Sequence, residues 1–291
     1  MTFSVLRAGL NVFLFLVLIG LLLGPYVLMI ALAPHKRHKI AQLFFKGCVA
    51  LTGLRLVVTG APSERTVMFA SNHASYLDII VLGAVIPGGV FVAKSEVADW
   101  PLFGFLARLS RTIFISRNGQ DAALQRTVLA ARMNKGHALV LFPEGTSTNG
   151  ASIKRFKSTL FAALDDVNAQ PWVQPVSLVY ARHVNGPQLS PGPLLSQSER
   201  EQFTWFGDMT LAPHLLNVFG SRGCEVEVTF HQPLNAVQFD DRKMIAKACE
   251  EAVGGHLNDT LGPITLDLNV AANDTESFTS LGQTAPAIGA E

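Results

Sequence analysis

The chain begins with a long apolar run and continues as a series of shorter apolar segments. Residues 8–34 carry no charged side chain and are dense in Leu, Val, Phe and Ile. At about 1.5 Å per residue, a helix of this length reaches across a hydrocarbon layer of roughly 30 Å. The run is too long for a signal peptide and lacks the polar face of a core helix, so it predicts a membrane helix. Gly24-Pro25 interrupts the run, and a bent or re-entrant helix also fits.

The next segment, residues 35–54, has a helical pattern with one apolar side and one basic side. Its apolar positions are Ile40, Leu43, Phe44 and Leu51, and its basic positions are Lys36, Arg37, Lys39 and Lys46. Such a helix is typical of the headgroup layer of a membrane, where anionic lipid attracts it. A core-facing helix with a solvated basic side is the alternative. Basic residues after an apolar helix also predict that the rest of the chain faces the cytoplasm.

Beyond residue 54, short apolar strand patterns alternate with helical ones. The strand candidates are residues 54–59, 67–71, 90–93, 113–116, 138–142, 173–179 and 225–230. Helical spacing occurs in residues 121–135, 211–219 and 241–255. This alternation predicts an α/β fold with a largely parallel sheet flanked by helices. In such sheets, ligands bind beyond the carboxyl ends of the strands.

Composition narrows the classes of function. The 291 residues are 49% hydrophobic and 15% charged, which suits one core plus a membrane segment, and a net charge of +1 argues against nucleic acid as a partner. The three cysteines are scattered and predict reduced thiols, and no spacing resembles a metal site. We expect a membrane anchor over residues 1–54, a catalytic domain over 55–261 and a disordered tail over 262–291.

A His and an Asp follow the second strand candidate, in Asn72-His73-Ala74-Ser75-Tyr76-Leu77-Asp78. On one helix, side chains five residues apart point about 140° from each other. The two therefore form a base and its orienter only if His73 lies in the turn and Asp78 in the first helical turn. Asp78 would hold one ring nitrogen, and the other would take a proton from a hydroxyl. A helix-capping Asp beside a partly buried His is the alternative. No Gly-x-Ser-x-Gly accompanies the pair, which disfavours a covalent acyl-serine route.

Four blocks, in this order, resemble the glycerolipid acyltransferase family, the PlsC type. They cover roughly residues 60–180 and are His73-x-x-x-x-Asp78, Phe114-Ile115-Ser116-Arg117, Phe142-Pro143-Glu144-Gly145-Thr146 and Val173-Gln174-Pro175-Val176. The resemblance implies that His73 is the general base and that Asp78 orients it. It implies that the hydroxyl of a membrane lysolipid attacks the thioester of acyl carrier protein or coenzyme A. It also implies an amino-terminal two-helix element that docks on the membrane. Because a thioester is already activated, we expect no cofactor and no metal.

On the acceptor side, the resemblance implies four residues: Arg117, Glu144, Gly145 and Thr146. Arg117 would grip a phosphate or a carboxylate, and Glu144 would hydrogen-bond the acceptor or brace Arg117. Gly145 and Thr146 would offer backbone N–H groups and a hydroxyl, although plain turn residues are the alternative. Weaker candidates are Asn72, Lys94 and Lys157. Lys94 and Lys157, with Arg155, would meet the phosphopantetheine or the acidic surface of a carrier protein, or are ordinary surface charges.

Two departures bear on the acceptor. Many lysophosphatidate acyltransferases continue Glu-Gly-Thr with Arg-Ser, whereas Ser147 occupies the Arg position here, which weakens the case for a phosphate monoester. The segment Trp205-Phe206-Gly207-Asp208-Met209, followed by Pro213-His214-Leu215, is similar to the branch that acylates lyso-ornithine lipid. That acceptor carries an ornithine headgroup on a 3-hydroxy fatty amide.

We therefore predict a lysolipid O-acyltransferase on the cytoplasmic face of a bacterial-type inner membrane. Lyso-ornithine lipid is favoured as the acceptor, and 1-acyl-sn-glycerol-3-phosphate is the alternative. Two other classes stay open: a hydrolase in which His73 activates water, and a lipid-binding protein with a vestigial site. An intact His73, Asp78 and Glu144 argues against the vestigial site, and the apolar anchor argues against the hydrolase.

Overall fold

The computed structural model describes residues 3–116, 122–184 and 192–262. In these ranges the helices are α1 (Val5–Leu32), α2 (His38–Leu51), α3 (Leu77–Val85), α4 (Phe103–Leu109), α5 (Ala122–Asn134), α6 (Gln197–Arg200), α7 (Leu211–Gly220) and α8 (Arg242–Leu261). The strands are β1 (Arg55–Thr59), β2 (Thr66–Ser71), β3 (Val90–Lys94), β4 (Ile113–Ile115), β5 (Leu139–Leu141), β6 (Trp172–Arg182), β7 (Glu225–Phe230) and β8 (Leu234–Asn235). Apart from Gly262, the predicted tail lies outside the described residues.

The strands within the described ranges form one eight-stranded sheet in the order β1-β7-β6-β2-β5-β3-β4, with β8 beside β6. Neighbouring strands run parallel except at the β6–β7 and β6–β8 pairs, which are antiparallel. All seven strand candidates are present, and the predicted α/β fold with a largely parallel sheet is confirmed. The two-residue strand β8 and the short helices α4 and α6 were not predicted.

Side chains alternate between two cores, one on each face of the sheet. On β2, Met68 and Ala70 face the core under α5 and α8, whereas Phe69 faces the core under α2, α3 and α7. Because both faces are covered, the central strands are mostly apolar on both sides, as is usual for parallel sheets. The sheet is therefore fixed on both sides, and its strand ends are held in place.

Helix α1 lies along the body of the protein and is attached to it near both ends. At its start, the Arg7 guanidinium donates to the backbone oxygen of Ser221 at 3.0 Å, and the Asn11 amide donates to that of Phe219 at 2.9 Å. Near its other end, the Tyr26 hydroxyl donates to the backbone oxygen of Leu109 at 2.8 Å. The helix runs without a break through Gly24-Pro25, with Pro25 inside it.

The opposite face of α1 is exposed and apolar. In the described part of the chain, α1 is the helix whose length and composition would allow it to cross a membrane. Its exposed large side chains are Val5, Leu6, Leu10, Phe13, Leu14, Leu16, Val17, Leu21, Val27, Leu28, Ile30 and Leu32. An apolar face of this size is costly in water, so it indicates membrane association.

Helix α2 packs between α1 and the body instead of lying free in a headgroup layer. Cys48 and Val49 are buried and Phe45 contacts α3, whereas Leu43, predicted on the apolar face, is 55% exposed. The basic residues of this segment, Lys36, Lys39 and Lys46, are exposed. The alternative of a core-facing helix with a solvated basic side therefore describes α2 better.

The contact between α2 and α3 can be tested at Gly83, which faces the ring of Phe45. A Cβ added there would lie 2.5 Å from that ring. The Phe45 ring also makes edge-to-face contacts with Phe44 and Phe91, which limit its movement. We expect Gly83→Ala to lower the free energy of unfolding by about 1–3 kcal/mol, measured by thermal unfolding in detergent.

The matched control is Gly255→Ala on α8, where an added Cβ has no neighbour within 4 Å. Since Ala favours a helix over Gly by about 1 kcal/mol, the control should be slightly stabilised. Equal stability of the two variants would contradict the packing described here.

Candidate active site

Polar residues gather where four neighbouring parallel strands end. β2, β5, β3 and β4 lie side by side, so their carboxyl ends form one edge with about 4.8 Å between strands. His73 follows β2, Glu144 follows β5, and Lys94 is the last residue of β3. The edge therefore assembles residues that are far apart in the sequence.

A fully buried carboxylate lies at the centre of this edge. Asp78 is 0% exposed and sits in the first turn of α3, as predicted. Its Oδ2 accepts three hydrogen bonds, from His73 Nδ1 at 2.7 Å and from the backbone N–H groups of Ala74 at 2.7 Å and Ser75 at 2.9 Å. Its Oδ1 accepts one from the Tyr180 hydroxyl at 2.7 Å. Four donors compensate the cost of burying the charge.

His73 is held from every side except one. Its backbone N–H donates to Glu144 Oε1 at 2.7 Å, and its backbone oxygen accepts from Thr148 N–H at 2.9 Å. Its ring stacks on Phe142 with centroids 4.1 Å apart, and Nδ1 is bound to Asp78. Because a carboxylate only accepts, Nδ1 carries the proton, and in the neutral ring the lone pair is on Nε2. No described residue bonds to Nε2, and the side chain is 21% exposed.

Glu144 points into the protein and not toward an acceptor. It is 2% exposed, and its two oxygens accept from the backbone N–H groups of His73 and Lys154, both at 2.7 Å. Burial raises the pKa of Glu144 to about 8, although the two N–H donors oppose this effect. Among the described residues, both oxygens of Glu144 thus serve as a clamp on the His73 loop, and its predicted contacts with the acceptor or with Arg117 stay a prediction.

Gly145 and Thr146 continue from Glu144 into a tight turn. Gly145 has φ of +71°, which only glycine adopts readily, and its N–H donates to the backbone oxygen of Phe142 at 3.0 Å. The sequence predicted that this N–H is offered to an acceptor. In the structure the turn uses it instead. Thr146 is partly exposed at this edge, so its role on the acceptor side stays a prediction.

The weaker candidates differ in their positions. The Asn72 amide is buried and exchanges two hydrogen bonds, each 2.8 Å, with the backbone of Leu178, which joins β2 to β6. Lys157 lies beside Gly145, since a Cβ added to Gly145 would be 3.4 Å from its Nζ. Lys94 ends β3 at the same edge and is partly exposed. Asn72 is thus structural, while the two lysines remain candidates.

Arg117 lies outside the described residues. The strand before it, β4, ends at Ile115 on the same edge of the sheet, and the backbone oxygen of Ser116 accepts from the Gln125 amide at 2.8 Å. Its role in binding an anionic group stays a prediction.

An aromatic layer borders the His73 loop. Trp205 donates its backbone N–H to the backbone oxygen of Ala74 at 2.7 Å, and its ring packs edge-on against Tyr76 and Trp100. The Tyr76 hydroxyl shares a 3.0 Å hydrogen bond with His214 Nδ1. The segment predicted to mark the lyso-ornithine branch therefore lies directly beside the His73 loop.

On the far side of His214 is an open cavity of about 740 Å³. Its described lining includes the carboxylates of Glu201 and Asp208, the Asn217 amide and Phe3 at the start of the anchor, and no Lys or Arg. Such a lining favours a ligand with a positive group over one with a phosphate.

The described residues contain no group of three or more His, Cys, Asp and Glu that could hold a metal ion. What the site can do is move a proton: a neutral imidazole with an oriented, unpartnered Nε2 accepts one, and Asp78 stabilises the imidazolium that forms.

Sequence reasoning did not identify Tyr180, Thr148 or the stacking role of Phe142. Tyr180 could have been noticed as a phenol within a buried strand, since a buried Tyr hydroxyl usually requires a partner. Thr148 lies only four residues after Glu144, and nothing in the local pattern distinguishes it from a turn residue.

Comparison with known proteins gives consistent results. Residues 55–179 match the model of the family described as Acyltransferase. A lyso-ornithine lipid O-acyltransferase from Rhodobacter capsulatus is 39% identical over 246 residues, which are 80% of this chain and 83% of that protein. A 1-acyl-sn-glycerol-3-phosphate acyltransferase from Neisseria gonorrhoeae is 26% identical over 223 residues, 76% of this chain and 81% of that protein.

The fold also has a solved counterpart. The crystal structure of the 1-acyl-sn-glycerophosphate acyltransferase PlsC from Thermotoga maritima superposes with a TM-score of 0.60 and 19% identity. The match covers 89% of this chain and 97% of that one, which confirms the predicted fold.

The clamp on His73 can be tested with Glu144→Gln. An amide has one accepting oxygen, so the NH₂ group would face one of the two backbone N–H groups, those of His73 and Lys154. Leaving a buried donor unpaired costs about 1–3 kcal/mol. We expect lower stability in thermal unfolding, together with a fall in kcat of about tenfold or more because the base is displaced.

The control is Glu251→Gln on the exposed surface of α8, which loses only an ion pair with Lys247 and should behave as wild type. Wild-type turnover in Glu144→Gln would show that the clamp does not matter.

Proposed function

Because the chain belongs to the acyltransferase family, we propose that it transfers a fatty acyl group from a thioester to the free hydroxyl of a membrane lysolipid. The observation that carries the proposal is the His73–Asp78 pair, bonded at 2.7 Å with Nε2 left without a partner among the described residues. The chain also carries the apolar helix α1, which would bring the site to a membrane surface.

The reaction needs one proton carrier. Nε2 of His73 takes the proton of the acceptor hydroxyl while the hydroxyl oxygen attacks the thioester carbonyl carbon. The tetrahedral intermediate then expels the thiolate, which receives the proton from the imidazolium, leaving the new ester and a free thiol. Asp78 stabilises the imidazolium between these two steps. The thioester of acyl carrier protein or coenzyme A is activated already, so we propose that no further cofactor takes part.

Lyso-ornithine lipid is the acceptor that the chain supports best. The lyso-ornithine lipid O-acyltransferase from Rhodobacter capsulatus is more similar to this chain than the 1-acyl-sn-glycerol-3-phosphate acyltransferase from Neisseria gonorrhoeae, at 39% against 26% identity. Ser147 adds to this, because a site without the Arg of the common pattern is less suited to a phosphate monoester.

The cavity beside His214 gives a physical reason for the same preference. Ornithine has two amino groups. When one of them is acylated, the other remains an ammonium group, which Glu201 and Asp208 would attract. A phosphate dianion would be repelled by the same two carboxylates. Phe3 lines this cavity and begins the anchor segment, so a lipid headgroup at the membrane surface has a short path into it.

The alternative acceptor is 1-acyl-sn-glycerol-3-phosphate. The similarity to the acyltransferase from Neisseria gonorrhoeae supports this alternative. Binding of its phosphate would rely on Arg117, which comes two residues after the end of β4 in the sequence.

The anchor supports a peripheral placement on the membrane. Hydrogen bonds at Arg7, Asn11 and Tyr26 hold α1 against the body over about 28 Å, at about 1.5 Å per residue. A helix held in this way lies in one leaflet with its apolar face in the hydrocarbon. We propose the inner membrane and its cytoplasmic face, where the exposed Lys36, Lys39 and Lys46 meet anionic lipid.

The test of this function is a competition between acceptors. Purified protein receives labelled acyl carrier protein thioester with lyso-ornithine lipid and lysophosphatidate at equal concentration. We expect ornithine lipid as the main product, and no product from His73→Ala, which should remain bound to vesicles.

Turnover by His73→Ala would refute the mechanism. Phosphatidate as the main product would refute the preferred acceptor. Thioester loss without any lysolipid would indicate a hydrolase, and lipid binding without turnover would indicate a vestigial site.

Ser147→Arg tests the basis of the acceptor preference. Ser147 is partly exposed just after Thr146, so an added guanidinium can reach solvent without a buried cost. We expect the ratio of kcat/KM for lysophosphatidate over lyso-ornithine lipid to rise about tenfold, as one charge-assisted contact predicts. Ser147→Gln, similar in length but uncharged, should leave the ratio near its wild-type value. An unchanged ratio in Ser147→Arg would show that position 147 does not select the acceptor.

A further inference from the structure

Tyr180 touches the catalytic pair at a point that no sequence motif marks. Its hydroxyl donates a 2.7 Å hydrogen bond to Oδ1 of Asp78, the oxygen that does not face His73. Tyr180 is 1% exposed on β6, and its ring stacks on Phe203 at 6.2 Å with an angle of 7° between planes. The phenol is therefore fixed in direction, and water does not replace it.

The buried carboxylate depends on this donor. Oδ2 of Asp78 has three donors, all from residues 73–75, whereas no other described residue donates to Oδ1. Burial, followed by the negative charge of Asp78, raises the pKa of Tyr180 well above its ordinary value. The phenol therefore stays protonated wherever the enzyme works and always donates. Without it, one oxygen of a buried carboxylate would have no partner.

We propose that Tyr180 is a positioning residue that sets the basicity of His73 by sharing the charge of Asp78. A carboxylate that accepts a strong hydrogen bond on Oδ1 attracts the imidazolium less through Oδ2. Tyr180 thereby keeps His73 neutral, and able to accept a proton, at lower pH than Asp78 alone would allow. This inference rests on the proposed role of His73 as the base.

Other titratable groups face the same network and stay in place when Tyr180 changes. Glu144 lies close enough for the charge of Asp78 to raise its pKa. The buried thiol of Cys224 and the guanidinium of Arg200 adjoin Tyr180, and the Arg200 Nε donates to the backbone oxygen of Tyr180 at 3.0 Å. A direct measurement on the His73 ring separates the effect of Tyr180 from all three.

The decisive variant is Tyr180→Phe, which keeps the ring and its stacking and removes only the hydroxyl. We expect the acid limb of the kcat/KM–pH profile to move to higher pH by about half to one unit, the value of one hydrogen bond. KM for both substrates should stay near wild type, because Tyr180 touches neither. Carbon-13 NMR of the histidine rings, with His73 assigned by His73→Ala, should show the same shift in the His73 titration midpoint.

The matched control is Tyr76→Phe, at a partly buried tyrosine next to the same loop. Its hydroxyl bonds His214 and not Asp78, so the acid limb and the His73 midpoint should not move. If Tyr180→Phe lowers activity or stability while both readouts stay at their wild-type values, Tyr180 has only a packing role and the proposal is overturned.

If Tyr180→Phe does not fold, a fluorinated tyrosine at position 180 tests the same proposal by strengthening the hydrogen bond instead of removing it. It keeps the shape and strengthens the donor, so the acid limb and the midpoint should move to lower pH, and no movement would overturn the proposal. The two hypotheses fail separately: turnover by His73→Ala refutes the base, whereas the NMR midpoint tests Tyr180 whether or not His73 is the base.

Discussion

The structure depends on a single negative charge kept out of water. Asp78 is fully buried, and a buried carboxylate is tolerated only where enough donors surround it. The four donors come from the turn after β2 and from near the end of β6, so the charge joins two neighbouring strands and the first turn of α3. The loop that carries His73 is shaped by this requirement, and the orientation of the imidazole follows from it.

A second carboxyl group, that of Glu144, holds the backbone of His73, which Asp78 does not contact. Asp78 determines where the ring of His73 points, whereas Glu144 and Thr148 hold the backbone on either side of the same residue. The turn after β5 is therefore a brace for the turn after β2. Motifs that are seventy residues apart in the sequence become one rigid unit because their strands are adjacent and parallel. Rigidity of this kind holds Nε2 of His73 in one direction, as the proposed proton transfer requires.

The sequence allowed some of this to be predicted. Apolar periodicity located all seven predicted strands, and the five-residue spacing placed His73 in a turn and Asp78 on a helix. The direction of the Glu144 side chain was not predictable, because the sequence pattern of a turn is the same whether its carboxylate is exposed or buried. Tyr180 was missed since its partner lies 102 residues away, and hydropathy patterns carry no information about which distant group a side chain meets. Predictions from the family motif named positions that meet at one edge of the sheet but not the direction in which each side chain points.

Hydrogen bonds between the anchor and the body satisfy backbone groups of the body that would otherwise have no partner. The last carbonyl groups of a helix have no partner within it, and those at the end of α7 are met by Ser4, Arg7 and Asn11 of the anchor. The amino-terminal helix is thus part of the fold as well as a membrane attachment. Cutting it off would uncover polar groups and apolar surface together. A water-soluble form of this enzyme therefore calls for redesign of the lipid-facing side chains of α1, with its inner face left intact.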